Sequence, residues 1–363
     1  IDTSVILKAV VKKENNLRTG NTLSYVGILF NENKEKYYLT SDGAMLIAPD
    51  VDQKKGIIEN RNGGLISKRL LNCTTSEMLS MNKDELKQSI LACEGRTVMT
   101  ETVCAIPPLL GDLTNAEFAV SFGSDMVLLN VFDCNHPTIM GLPETEQPVQ
   151  LLKKLIGRPV GCNLEPIDND ATMMEDRYEI SSGRHATKET FIKAKELGFD
   201  FICLTGNPGT GVSHASIEKA ILLAKEYFGG LIIAGKMHSS GIDEALVDLK
   251  SIEGFIEAGA DIILMPAVNT VPGLTEKELH TACQFIKSKG ALSLSAIGTS
   301  QEGSDEATIR EIALMNKRCG IDIQHIGDAG WCGMALPENI MTLSIAIRGK
   351  RWTYHKIASS VNR

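Results

Sequence analysis

From Arg96 onward, short and almost wholly apolar runs alternate with longer stretches in which apolar residues recur every three or four positions. The first pattern suits a strand covered on both faces and the second an amphipathic helix. The runs fall at residues 97–103, 125–131, 159–164, 201–205, 231–234, 261–265, 292–296 and 323–326. Their spacing of roughly 30 residues leaves room for one crossover helix between neighbours, which predicts a parallel sheet. Eight such units predict an α/β fold of the TIM (β/α)8 barrel class. An open doubly wound sheet is the competing architecture, but no GxGxxG turn follows the first run. Helix ends are written locally: Thr275 with Glu278 starts one helix and Gly290 closes it, and Gly198 closes the helix that begins near Thr187. Gly-Phe-Asp, Gly-Ala-Asp and Gly-Ile-Asp, ending at Asp200, Asp261 and Asp322, repeat one junction between a helix and the next strand.

The N-terminal part has a different texture. Residues 4–11, 22–30 and 36–47 are β-prone runs separated by polar turns, which predicts a small antiparallel β domain over 1–65. The stretch 50–64 reads as a polar, glycine-containing link. Asn82 followed by Glu85 has the spacing of a capping box, and the helix it starts, closed by Gly95, is expected to seal the bottom of a barrel domain over 66–363.

Composition trims the possible partners. A formal net charge of -8 and scattered lysines give no basic stripe for nucleic acid or a membrane surface. No apolar run approaches the length of a membrane span, and no leader pattern is evident, so the cytoplasm is the expected compartment. Nine cysteines without CxxC spacing read as reduced core residues. A small anionic metabolite is the expected partner, and a homo-oligomer the expected assembly. No nucleotide cofactor is called for.

In a barrel of this class, residues at the C-terminal strand ends form the active site. Those ends carry Glu101, Asp133, Asn163 with Glu165, Thr205 with Asn207, Lys236 with His238, Asn269, Thr299 with Gln301, and His325 with Asp328. Three glycine-rich loops are candidate anion cradles, through Gly206, Asn207, Gly209 and Gly211 after the fourth strand, Gly298, Thr299 and Ser300 after the seventh, and Gly327 and Gly330 after the eighth. The same glycines also suit ordinary turns. Glu101, Asp133 and Glu165 end three successive strands and are candidate ligands for one magnesium ion, the alternative being a charged network without metal. Lys236 is either a Schiff-base nucleophile or a cation paired with a carboxylate, and His238, His325 and Asp328 are candidate proton carriers.

Three segments, Leu-Thr-Gly-Asn-Pro-Gly-Thr-Gly-Val at 204–212, Ala-Ile-Gly-Thr-Ser-Gln-Glu-Gly-Ser at 296–304 and His-Ile-Gly-Asp-Ala-Gly at 325–330, carry a family resemblance. They resemble an uncharacterised family of bacterial (β/α)8-barrel proteins labelled phosphoenolpyruvate phosphonomutase-like, over about residues 70–350. The resemblance implies a barrel, magnesium, and making or breaking of bonds beside a 2-oxo acid. The sequence departs from the true mutases in lacking their aspartate pair, and Met-Met-Glu-Asp-Arg at 173–177 stands where their acidic–basic loop is expected. The functional expectation is a lyase or mutase-type enzyme acting on a small phosphorylated or carboxylated metabolite at the barrel mouth. A metal-independent aldolase using Lys236 and a non-catalytic, ligand-sensing barrel are the alternatives.

Overall fold

The computed structural model describes residues 68–363 and, before them, five short strand segments. By its contacts the chain divides into units Ile1–Ser67 and Lys68–Arg363. In the first unit, β1 (Tyr25–Phe30), β2 (Lys36–Thr40) and β3 (Met45–Ile47) form an antiparallel sheet, and β4 (Ile58–Glu59) pairs antiparallel with β5 (Leu65–Ile66). The run expected at 36–47 is therefore two strands, and the expected link at 50–64 carries β4. The run at 4–11 lies outside the described residues.

The second unit is a TIM (β/α)8 barrel. Its strands are β6 (Thr97–Val103), β7 (Met126–Asn130), β8 (Val160–Leu164), β9 (Phe201–Leu204), β10 (Leu231–Gly235), β11 (Ile262–Pro266), β12 (Leu292–Ile297) and β13 (Ile323–Ile326). They close in sequence order, all parallel, with β13 pairing β6. Before them come α1 (Thr75–Ser80) and α2 (Lys83–Leu91), and between them α3 (Asn115–Ser121), α4 (Pro148–Ile156), α5 (Lys188–Glu196), α6 (His214–Tyr227), α7 (Leu249–Ala258), α8 (Glu276–Ser288) and α9 (Glu306–Cys319), with α10 (Pro337–Ala358) last.

Residues alternate across each strand. Met99, Leu128, Phe201, Ile233, Leu264, Leu294 and Ile323 fill the interior, whereas Val127, Ile202, Ile232 and Ile263 pack outward against the helices. Covering on both faces is what makes these strands apolar throughout. Asn82 caps α2 through a capping box with Glu85. That helix, with Leu70, Leu71 and Met78, joins the interior cluster and seals the bottom. Eight of the cysteines are buried and free, while Cys332 is exposed in the loop after β13.

The repeated Gly-X-Asp junction has a mechanical role. The Asp200 carboxylate accepts from Val160 N–H at 2.9 Å, and its own N–H donates to Val160 O at 2.9 Å. Asp261 clasps Ile232 in the same two-point way, and Asp322 clasps Ser293. Asp125 does so to Val98, and Gly-Ser-Asp at 123–125 makes it a fourth copy of the Gly-X-Asp pattern. Each clasped N–H belongs to the first or second residue of its strand, and the clasp supplies its partner. Together they join β6 to β7, β8 to β9, β10 to β11 and β12 to β13.

Candidate active site

A cavity of about 300 Å³ opens at the C-terminal ends of the strands. Glu101 projects inward two residues before β6 ends and is buried. Its Oε1 accepts from Asn163 Nδ2 of β8 at 2.5 Å, and its Oε2 lies 3.1 Å from Nε2 of the fully buried His325 of β13. That contact is close enough for an ion pair but not aligned as a hydrogen bond, and neither ring nitrogen of His325 has a hydrogen-bond partner.

Asn130, the last residue of β7, donates to Asp328 Oδ2 at 2.8 Å and to Asn207 Oδ1 at 2.9 Å. Burial, followed by the nearby charge of Glu101, pushes the Asp328 carboxyl up to about 8, against which the Asn130 hydrogen bond works. Burial also raises Glu302, whose Oε1 accepts from Ala329 N at 3.0 Å while Oε2 has no partner. His238 is lowered by burial, with Glu101 opposing and Lys236 assisting the shift. Its Nδ1 accepts from Ser240 N–H at 3.0 Å, so the neutral ring carries its proton on Nε2.

Two further features mark the mouth. Asn163 Oδ1, Thr205 Oγ1, Glu302 Oε2 and both nitrogens of His325 are buried without partners, although such groups normally find one. Val131, Ser240, Asn269, Thr299 and Ser300 hold left-handed backbone just beyond β7, β10, β11 and β12, with φ between 53° and 71°. For the β-branched Val131 and Thr299 this is a strained conformation of the kind that gathers at functional sites.

Some amides of the expected anion cradles after β9 and β13 are satisfied from within. Asn207 N–H donates to Glu165 Oε2 at 2.8 Å, Gly211 N–H to Ser240 O at 2.9 Å, and His214 N–H, at the start of α6, to Glu244 Oε2 at 3.0 Å. Ala329 N–H, in the loop after β13, is taken by Glu302. Carboxylates of the protein thus take three of these amides, those of Asn207, His214 and Ala329. Gly206, Asn207, Gly298, Thr299, Ser300 and Gly327 line the cavity, but Gly209, Gly211 and Gly330 do not. Gly206 earns its place sterically, because a Cβ there would lie 2.6 Å from Val212.

The structure also separates residues that the sequence had grouped. Lys236 follows Gly235 and turns outward, where its ammonium meets Glu244 Oε2 at 2.9 Å, beside His214, and it does not line the cavity. Glu165 is buried under the mouth and pairs with Arg184 at 2.6 Å while holding Asn207, so it positions the glycine loop. Asp133 sits in its own turn, accepting from Asn135 N–H and His136 N–H. The expected magnesium triad is therefore not assembled, and among the described residues no three His, Cys, Asp or Glu side chains are grouped to hold a metal. Each proposed ligand already has another partner. Asn130, Glu302 and Arg184 escaped the sequence reading. Asn130 had a signal, a lone amide closing an apolar run, and Glu302 lay inside a quoted loop.

Among the described residues lining the cavity there are four carboxyls, Glu101, Glu175, Glu302 and Asp328, and no lysine or arginine. Hydroxyl, amide and amino groups would find acceptors here.

The sequence profile of a family described as Domain of unknown function (DUF7916) matches residues 71–363. No curated protein matches the chain. Similar solved structures include a 2,3-dimethylmalate lyase of the PEP mutase/isocitrate lyase superfamily, at 13% identity over 67% of this chain and 80% of that one, with a TM-score of 0.42. A phosphonopyruvate hydrolase in complex with oxalate and Mg2+ is 14% identical over 68% and 80%, with a TM-score of 0.40. A thiamine phosphate pyrophosphorylase from Pyrococcus furiosus is 11% identical over 70% and 97%, with a TM-score of 0.41. Likeness of this degree says nothing about the chemistry of the mouth. No helix among the described residues is long and apolar enough to cross a membrane.

Proposed function

The chain belongs to the family described as Domain of unknown function (DUF7916), and because that description assigns no chemistry we propose a function from the site itself. The barrel is an acid–base enzyme of the lyase or mutase type, acting on a small polar metabolite gripped at the mouth through hydroxyl, amide or amino groups. The observation that carries this reading is the lining: a carboxyl held neutral near pH 7, Asp328, faces a cavity with three further carboxyls and no cationic side chain among the described residues. A neutral carboxyl beside an oriented one is a pairing that separates acid from base.

In this reading Asp328 delivers a proton to the leaving or carbonyl oxygen. Glu101, aimed by Asn163 and backed by His325, takes one from carbon or oxygen. Nε2–H of His238 donates to an oxygen of the substrate. No step is assigned to magnesium, because the acids do not form a site for it. Lys236 takes no part, since its ammonium is engaged with Glu244 outside the cavity.

The test is exchange chemistry. Polyols, amino alcohols, hydroxy acids and phosphorylated sugars are incubated with the protein in D2O, and deuterium entering carbon is followed by mass spectrometry. Exchange is expected into an uncharged or amino-bearing compound. It should fall by about 10²-fold or more in Asp328→Asn and Glu101→Gln, the range typical of a lost acid or base, and it should fade as pH rises through about 8 in the parent protein. Exchange confined to phosphorylated compounds, or unaffected by both substitutions, would sink the reading.

A further inference from the structure

At the opposite end of the barrel, a second cavity of about 130 Å³ lies between α1, Arg158 two residues before β8, and the end of α10. Arg158, His355, Lys356 and Arg363 line it together with the hydroxyl-bearing Thr75, Ser359 and Ser360. No aspartate or glutamate is among its described lining residues. Arg158 is about 1% exposed, yet its Nε has no partner, since Nη1 donates to Gly157 O and Nη2 to Lys356 O. Asn72, also in the lining, has an unpartnered buried Oδ1, and half a turn of its amide would present Nδ2 to the cavity.

The charge around this cavity does not close. Arg158, Arg348 and Lys356 are buried about one buried carboxylate, Asp125, which Arg348 engages directly and which lies 3.5 Å from Lys356 Nζ. Buried cations are ordinarily paired, and two positive charges here have no counter-ion among those groups. The space holds several waters or one tetrahedral oxyanion.

We propose that this cavity is a binding site for a small oxyanion of the phosphate class, free or at the end of a phosphoester, seated by Arg158 Nε and the hydroxyl of Ser360 beside the charge of Lys356, whose Nζ donates to Leu70 O at 2.7 Å. Its two negative charges complete the buried cluster. The site is separate from the mouth and does not depend on the function proposed for it.

Calorimetric titration of the whole chain with inorganic phosphate, and in parallel with glycerol phosphate, tests it; the stronger ligand of the two tells free ion from phosphoester. Saturable binding at one site per chain is expected, with a rise in Tm as phosphate is added. His355→Glu, on the exposed rim, places a carboxylate in the cavity and should weaken binding about tenfold or more; Arg158→Met should do the same. Asp328→Asn, at the other end, should bind phosphate as the parent does. The proposal is overturned by an absence of saturable binding of either ligand, by binding that survives both His355→Glu and Arg158→Met, or by binding that Asp328→Asn abolishes.

Discussion

The two ends of this barrel concentrate opposite charge. At the mouth, Glu101, Glu302 and Asp328 crowd together, and burial, followed by the charges of Glu101 and Glu302, holds Asp328 neutral. At the base, Arg158, Arg348 and Lys356 crowd about Asp125, and burial pulls Lys356 down while those cations hold Asp125 low. Both ends also leave buried polar atoms without partners. A ring of polar residues at strand ends therefore locates a site, but the sign of the uncompensated charge says what it takes.

The contrast breaks most sharply at Asp125. Asp125→Asn leaves three buried cations unopposed and should cost about 3–5 kcal/mol in urea denaturation; a loss below about 1 kcal/mol would show the basal charges to be solvated and the contrast empty. Next in size is Glu165→Gln, which strands Arg184 and frees the Asn207 amide, at about 1–3 kcal/mol. Hydrogen exchange should then quicken over 206–211 and stay unchanged around Arg158.

Proton linkage sharpens the comparison further. Asp328 has a native pKa of about 8 against an ordinary 3.8, so between those values the folded state holds a proton that the unfolded chain has released. The stability this gives is complete at low pH and is lost as pH rises through about 8. The decline in Tm across that window should shrink in Asp328→Asn and persist in His355→Glu. The smallest effect is expected at Lys236. Lys236→Met should leave ligand affinity at the mouth within about twofold, and borohydride should trap no adduct on the parent; an adduct on Lys236 would revive the Schiff-base alternative.

The fold was legible because strands covered on both faces announce themselves, and caps such as Asn82 and Thr275 are written within four residues. Part of the site was legible for the same reason: Glu101, Asn163 and His325 are polar residues inside apolar runs, a combination with few structural excuses. What could not be read is parity at the strand end. An all-apolar strand does not reveal which residues face inward, and Lys236, one position past Gly235, turns outward, whereas His238, of the same parity, reaches the cavity because the chain has left the strand. The acceptors of three loop amides were hidden for a different reason. Asn207, His214 and Ala329 N–H are met by Glu165, Glu244 and Glu302, and only the closed barrel shows which amide each reaches.

The aspartate clasps bind strands two by two, leaving the seams between β7 and β8, β9 and β10, β11 and β12, and β13 and β6 to their ladders alone. The cylinder is thus a ring of four duplex modules, and circular permutants opened at a seam should tolerate the new termini better than permutants cut within a duplex.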